Sequence, residues 1–271
     1  MKTVLKRIIG WDQKTAAEKV AFGESIYYHL ARALGVFPVV SLFPFPLWFL
    51  LRACHSDKHQ STGHLYGYTY GQLFKPFKYK SIKLLEIGVG GYERGIGGSS
   101  LNAWLLYFPF AKIIGCDIYD KQSLAARRIK IYQLDQSSKH QLEALCKSEK
   151  AFDIIIDDGS HLSCHQIFTF EHLYPALKDD GIYIIEDVQT SYWKNDGWDG
   201  AAIGDPAFEK TCVGYFLNLT RYINHSEFAD LSGVDMRIMV LAKSIKRVIF
   251  EHNLIIIVKG DNTQPSNIIG R

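Results

Sequence analysis

Phe152-Asp153-Ile154-Ile155-Ile156-Asp157-Asp158-Gly159-Ser160-His161 is a β-branched apolar run that ends in two carboxylates. Gly181-Ile182-Tyr183-Ile184-Ile185-Glu186-Asp187 repeats the pattern further along. Runs of this kind, bounded by glycine and charge, fit parallel strands covered on both faces. In an open α/β sheet, ligands sit outside the carboxyl ends of the strands. Asp157, Asp158, Glu186 and Asp187 therefore converge on the sheet edge where chemistry is expected. Carboxylates crowded there repel one another, and a hard divalent cation such as Mg²⁺ would relieve that. Upstream, Lys83-Leu84-Leu85-Glu86-Ile87 runs into a turn with Gly88, Gly90 and Gly91. A nucleotide-type cofactor and a metal at one edge of one sheet are the combined reading.

Outward from these runs the pattern alternates. Strand 83–87, a helix from Ser100, strand 112–116, a helix near 122–130 and a short strand near 130–133 come first. Helix 138–148, strand 152–156, helix 163–177 and strand 181–185 follow. The alternation predicts a parallel sheet with helices on both faces. Pro206 to Ile223 reads as helix. Ser244–Phe250 and Leu254–Lys259 flank Glu251-His252-Asn253, a hairpin signal that makes the last strand antiparallel. A parallel α/β sheet closed by a C-terminal hairpin resembles the class I methyltransferase plan. The glycine turn is not the dinucleotide fingerprint, because Glu93 stands at the third glycine position. Its Glu86-x-Gly88-x-Gly90 pattern resembles the first methyltransferase motif instead. Ile113-Ile114-Gly115-Cys116-Asp117 ends in a carboxylate that can accept both ribose hydroxyls of a nucleoside, or simply cap the next helix.

The 271 residues are 47% hydrophobic, enough for one generous domain or a domain with an appendage. A formal net charge of +3 without a long basic run argues against nucleic acid as a partner. Five scattered cysteines fit a reducing cytoplasm better than a disulfide framework. Met1 to Gly10 lacks the apolar stretch of a secretory leader. Residues 13–35 read as helix. Val36 to Leu51 is almost entirely apolar but shorter than the roughly 20 residues a span needs, and Pro38, Pro44 and Pro46 would break a helix. A hydrophobic docking segment against the domain or a second subunit is expected, and with it a homo-oligomer; shallow membrane association stays open. Ser56 to Tyr70 is polar and aromatic.

From Asp57 to Asp187 the chain resembles the metal-dependent sugar O-methyltransferases of macrolide biosynthesis. The resemblance is carried by Asp57-Lys58, Leu84 to Gly91, Gly97-Gly98-Ser99-Ser100-Leu101, Gly115-Cys116-Asp117-Ile118, Leu134-Asp135-Gln136-Ser137, Phe152 to His161 and Ile185-Glu186-Asp187. It covers about half the chain. It implies S-adenosylmethionine and Mg²⁺ or another divalent cation as cofactors, Asp158, Glu186 and Asp187 as metal ligands, and His161 as catalytic base. It also places the adenine contact at Asp135 and Gln136, and the segment around Tyr66 to Tyr70 as a cofactor cover. Glu86, Gly88, Gly90, Asp117, Asp135, Gln136 and Asp157 form the expected cofactor-binding set, with Asp157 the member of its pair that does structural work. The N-terminal 55 residues and the C-terminal third match less clearly. Residues 1–80 are read as a helical, cofactor-covering extension, and 81–271 as the methyltransferase domain.

The chemistry is coherent on the residues alone. A sugar hydroxyl is a poor nucleophile until its proton leaves; Mg²⁺ prefers oxygen ligands and acidifies a hydroxyl it binds. His161 lies three residues past Asp158, within reach of such a proton. The expected function is O-methyl transfer to a sugar hydroxyl of a glycosylated natural product or glycan. Two other readings are a nicotinamide-dependent oxidoreductase and a non-catalytic assembly partner that retains the fold. Plainer local roles also compete. Asp157 or Asp158 could cap the helix near Ser163, Glu186 or Asp187 could pair with Lys194, and His161 could hydrogen-bond within its turn. Trp193 and Trp198 could face a sugar or merely pack their loop. Leu162 excludes the H-E-x-x-H zinc motif at His161 and His165.

Overall fold

Seven strands form one sheet in the computed structural model, which describes residues 45–265. The expected helix at 13–35 and residues 36–44 of the apolar segment lie outside the described residues. The strands are β1 (Lys83–Ile87), β2 (Lys112–Asp117), β3 (Ile129–Gln133), β4 (Phe152–Asp157), β5 (Leu177–Ile185), β6 (Ile245–Glu251) and β7 (Leu254–Lys259). Their spatial order is β3-β2-β1-β4-β5-β7-β6. β1 pairs in parallel with β2 and β4, and β4 with β5. β7 runs antiparallel to both β5 and β6. The chain leaves β1 toward β2 on one side and later returns to β4 on the other. The β1–β4 boundary is thus the switch point where such sheets bind ligands.

The central strands are the apolar runs read from the sequence, and burial explains why they carry little alternation. Leu84, Leu85, Ile154, Ile155, Ile156, Ile184 and Ile185 are all fully buried. One face of the sheet, bearing Leu85, Ile87, Ile155, Tyr183, Ile185, Ile255 and Ile257, joins a single apolar core. Four helices bring residues to that core: α4 (Lys139–Glu149), α5 (Ser163–Leu173), α6 (Cys212–Arg221) and α7 (Met236–Ala242). Their core-facing residues include Leu142, Leu145, Phe170, Leu173, Phe216, Leu219 and Met239.

The chain divides into two compact units. Among the described residues, the sheet and these four helices make up the larger one, 82–96, 112–124 and 130–265. The other comprises 45–81, 97–111 and 125–129. Its described helices are α1 (Leu47–Ala53), α2 (Tyr66–Phe74) and α3 (Ser99–Tyr107). They are joined by an aromatic stack in which Tyr70, Phe74 and Trp104, all fully buried, lie with ring centroids 5.0–5.7 Å apart. Among the described residues no helix is long and apolar enough to cross a membrane.

Several element boundaries differ from the expected ones for local reasons. The helix expected near 122–130 is a single 3₁₀ turn, Gln122–Leu124. Arg128 is drawn off to donate to the carbonyls of Leu105 and Phe108. Helix α5 stops at Leu173 because Pro175 turns the chain into a 3₁₀ segment, and β5 begins at Leu177 rather than 181. The helix expected over 206–223 is two pieces. Thr211 breaks it with extended backbone and caps α6 by accepting from Gly214 N at 3.1 Å. Pro46, with extended backbone, stands at the N-cap position of α1, so a helix begins directly after this proline.

One partly buried ion cluster ties α4 to the sheet. Glu149 meets Lys130 at 2.8 Å, Lys83 at 3.2 Å and the Tyr132 hydroxyl at 2.6 Å. Burial pushes its carboxyl up, but hydrogen bonds from Lys130, Tyr132 and Lys83 outweigh that and hold it down to about 2, from an ordinary 4.5. A depressed folded-state value means stability that is present above pH 4.5 and lost as the pH falls toward 2. Glu149→Gln should cost about 2–3 kcal/mol at pH 7 in urea unfolding. The gap between variant and parent should close on acidification below the carboxylate range.

Candidate metal and cofactor site

The exit of β1 is packed directly against the exit of β4. Asp158 N donates to Ile87 O at 2.9 Å, and Gly88 N donates to Cys116 O at 2.8 Å. Gly88 adopts φ 78°, and a Cβ there would lie 1.9 Å from the carbonyl oxygen of Asp158. Only glycine permits that approach. Asp117, at the end of β2, accepts from Val89 N and from Tyr119 N, each at 3.0 Å. It both anchors the glycine loop and caps its own turn. A carboxylate has about four acceptor sites, so ribose hydroxyls can still share it. Glu86 is fully buried in β1.

The turn after β4 is held from beneath. Asp157 is fully buried and accepts from Gln136 Nε2 at 3.1 Å and Gly159 N at 3.4 Å. Gln136 also donates to Thr169 Oγ1 at 3.0 Å and accepts from Ser160 N at 2.7 Å. Burial raises the Asp157 carboxyl to about 7, against the Gln136 and Gly159 hydrogen bonds and with a further push from Asp158. Gln136, expected near adenine, thus has its amide committed to the Asp157–Ser160 turn. Asp135 accepts from both the N and Oγ of Ser137, which hold it below the usual carboxylate range. It opens onto a cleft of about 580 Å³ that Ile118, Leu134 and His140 also line.

Beyond the turn, the ligand atoms of Asp158, His161 and Asp187 all lie within 4.8 Å of one another. His161 Nε2 is 4.0 Å from Asp158 Oδ1 and 3.8 Å from Asp187 Oδ2. Its Nδ1 is buried without a hydrogen-bond partner. Two unusual backbones make the cluster: His161 has φ 58° and Asp187 φ 54°. Left-handed conformations at such residues are costly and need surrounding contacts to hold them. Buried Thr190 supplies these, its hydroxyl lying 2.6 Å from His161 O and 3.2 Å from Asp187 O. Val188 N, just past Asp187, donates to Asn253 O in the β6–β7 turn at 3.2 Å. Glu186 is 1% exposed, and its carbonyl accepts from Gln166 Nε2 at 2.9 Å. The cluster does not include it.

No protein-family model matches the chain. Relatives do. A tetracenomycin-C rhamnosyl 2'-O-methyltransferase of Streptomyces olivaceus is 38% identical over 171 residues, 63% of this chain and 44% of the relative. The mycinamicin VI 2''-O-methyltransferase of Micromonospora griseorubida is 34% identical over 206 residues, 74% of this chain and 50% of the relative. A solved mycinamycin-pathway methyltransferase, MycE, in complex with Mg, SAH and mycinamycin VI, superposes with a TM-score of 0.73 at 30% identity. That match covers 83% of this chain and 57% of that one. The chain is similar in sequence to these sugar O-methyltransferases and shares its fold with the solved one. It spans about half the length of the curated relatives it matches. Its sheet is the class I methyltransferase sheet, mostly parallel with a C-terminal antiparallel hairpin.

Three contacts in this methyltransferase sheet revise the local sequence readings. The helix at Ser163 is capped neither by Asp157 nor by Asp158. Asp199 caps it, accepting from Ser163 N at 2.7 Å and Cys164 N at 2.8 Å. Lys194 pairs with Asp205 at 3.4 Å and not with Glu186 or Asp187. Lys121, only 2% exposed, was not expected at the site. Its Nζ donates to the carbonyls of Tyr92 and Gly95 and so pins the loop that follows the glycine turn. A lone lysine after a strand carries no sequence signal of such a role.

The crowding at Gly88 has a measurable consequence. Gly88→Ala cannot be accommodated without moving the Asp158 backbone. We expect a stability loss of about 2–4 kcal/mol, the range for a forbidden backbone plus overpacking. Divalent-ion binding should weaken in the same variant, as read by calorimetry.

Proposed function

We propose that this chain carries out S-adenosylmethionine-dependent, Mg²⁺-dependent O-methyl transfer to a sugar hydroxyl of a glycosylated natural product or glycan. The observation that supports it best is the Asp158–His161–Asp187 cluster beside the glycine turn of β1, at the switch point of a methyltransferase sheet. The donor set fits a hard cation. Two carboxylates reach one point, and Glu186, buried on the same strand end, is the proposed third ligand. The cofactor's fit is supported by Gly90, where a Cβ would meet no protein atom within 4 Å, and by Asp117, whose carboxylate organises the loop next to the place proposed for the ribose.

S-adenosylmethionine when bound supplies the methyl group, and Mg²⁺ when bound lowers the proton affinity of the acceptor hydroxyl. The chain's residues do the remainder. Asp117 orients the nucleoside, with Glu86, Gly88, Gly90, Asp135 and the Gln136–Asp157 turn shaping its surroundings. His161 Nε2 faces the carboxylates and takes the hydroxyl proton; the imidazolium it becomes lies within 4.0 Å of Asp158 and Asp187 oxygens. Holding donor and acceptor in line supplies much of the rate. The proposal extends to residues 1–80 as a cofactor-covering part and 81–271 as the catalytic domain. It also extends to a homo-oligomeric cytoplasmic enzyme that does not bind nucleic acid.

Transfer of labelled methyl from S-adenosylmethionine to a panel of rhamnosides and macrolide glycosides tests it, alongside calorimetric titration with S-adenosylmethionine and with NAD. Methylated glycoside formed only with divalent cation is the expected outcome. Binding of NAD but not S-adenosylmethionine would overturn it in favour of the oxidoreductase reading.

A further inference from the structure

The segment Tyr192–Gly200 hangs from a closed neck. Trp193 N donates to Thr190 O at 3.0 Å, Gly200 N to Trp193 O at 2.8 Å and Ala201 N to Ser191 O at 2.9 Å. A Cβ on Gly200 would lie 2.3 Å from Thr190 O, so the neck closes only with glycine there. The neck residue Trp193 and the loop residue Trp198 present two indoles, edge to face at 5.6 Å and 72°. Trp193 is 45% exposed. Indoles held partly in water are typical of binding surfaces, and their planes suit the C–H faces of a pyranose.

Two side chains clasp this loop to the turn that carries His161. Thr190 does so at the neck, through the His161 carbonyl. Asp199, on the returning arm just before the neck glycine, does so through the N–H groups of Ser163 and Cys164. The residue before α5, Leu162, offers no side-chain cap, so the helix takes its cap from 36 residues away. Burial raises the Asp199 carboxyl, but the backbone bonds from Cys164 and Ser163 and the Cys164 thiol outweigh it and hold it below the usual range. A charged carboxylate at a helix N-terminus is the stable arrangement.

We propose that Asp199 is a positioning residue that locks the tryptophan loop onto the His161 turn, so that Trp193 and Trp198 form the sugar-binding wall of the Asp158–His161–Asp187 site. The inference rests on the sugar methylation reading. Ordering of the helix start and of the acceptor wall becomes one event, because the same carboxylate makes both.

Hydrogen exchange by mass spectrometry and steady-state kinetics on the whole chain test it, using the rhamnoside or macrolide glycoside that the parent enzyme methylates best. Asp199→Ala should speed amide exchange in 160–165 and 192–200 together. It should raise the acceptor KM about tenfold, the scale of a lost helix cap, and leave the S-adenosylmethionine Kd unchanged. Asp199→Asn, which keeps one acceptor oxygen, should fall between parent and Ala variant, and serves if the Ala variant unfolds. Trp193→Ala should raise the acceptor KM without altering exchange at 160–165. Faster exchange confined to 160–165, with 192–200 and KM unmoved, would overturn the proposal and leave Asp199 as a helix cap alone. A parent enzyme that methylates no glycoside overturns the underlying reading and the wall with it; the exchange data still decide the clasp.

Discussion

Asp158→Asn and Asp187→Asn should each lower metal-stimulated methyl transfer by more than about 10³-fold, the worth of several kcal/mol of electrostatic stabilisation. Asn conserves size and shape and keeps one acceptor oxygen, so the loss reads the carboxylate and not packing. Two independent consequences go with it. The parent should gain about 2.7 kcal/mol of unfolding stability at a hundred times the Kd for Mg²⁺, and the variants should gain almost none. Chelator should remove both activity and the added stability from the parent, and Mg²⁺ should restore them. The same titration decides the third ligand. Glu186 is buried and stands outside the observed cluster, whereas His161 lies within it. If Glu186→Gln abolishes the Mg²⁺-induced stabilisation and His161→Asn does not, Glu186 is on the ion and His161 is left for proton transfer. The reverse pattern would make His161 a ligand and leave the proton to another group. Full turnover in excess chelator would remove the metal altogether.

The sheet was legible because its central strands are buried on both sides. Residues such as Ile154-Ile155-Ile156 have no solvent face to satisfy, so the run itself is the signal, and the carboxylates after it mark the strand ends. The hairpin was legible because its turn needs a residue tolerant of left-handed backbone, and Asn253 takes φ 62° there. Helices α2 and α7 were missed for the opposite reason. Tyr66–Phe74 is crowded with aromatics and contains two glycines, and its helix depends on packing against Trp104, far off in sequence. Met236–Ala242 is only seven residues and starts from an Asp235 cap. At the site, the spacing of Asp158 and His161 gave the residues but not their meeting point. That point depends on left-handed backbones at His161 and Asp187 and on Thr190 holding both. The helix cap is not readable from the sequence, where neighbouring aspartates are only one option, because a cap supplied from Asp199 leaves no local pattern. Gln136 is expected at the cofactor, but its amide is spent on Asp157, Thr169 and Ser160.

Removing the His161 imidazole should lower kcat by about 10²–10⁴, the usual contribution of a positioned general base. The choice of variant matters here. His161 holds φ 58°, where Ala is strained by roughly 1–2 kcal/mol and Asn is better tolerated. His161→Asn should therefore keep the turn, the Thr190 contact to its carbonyl and the thermal stability while losing the base. His161→Ala should lose the base and some stability. Equal losses of kcat in the two variants would assign the effect to the ring and not to the turn. S-adenosylmethionine affinity should hardly change, because Nε2 faces Asp158 and Asp187 and not the Asp117 side of the sheet edge. Turnover of the Asn variant should recover part of its loss at high pH, where hydroxide takes over the proton. A kcat within a few-fold of the parent in His161→Asn would return His161 to a structural role. Its strained backbone would then serve to carry Asp158 and the capped helix into register, and the proton would have to leave by way of another group.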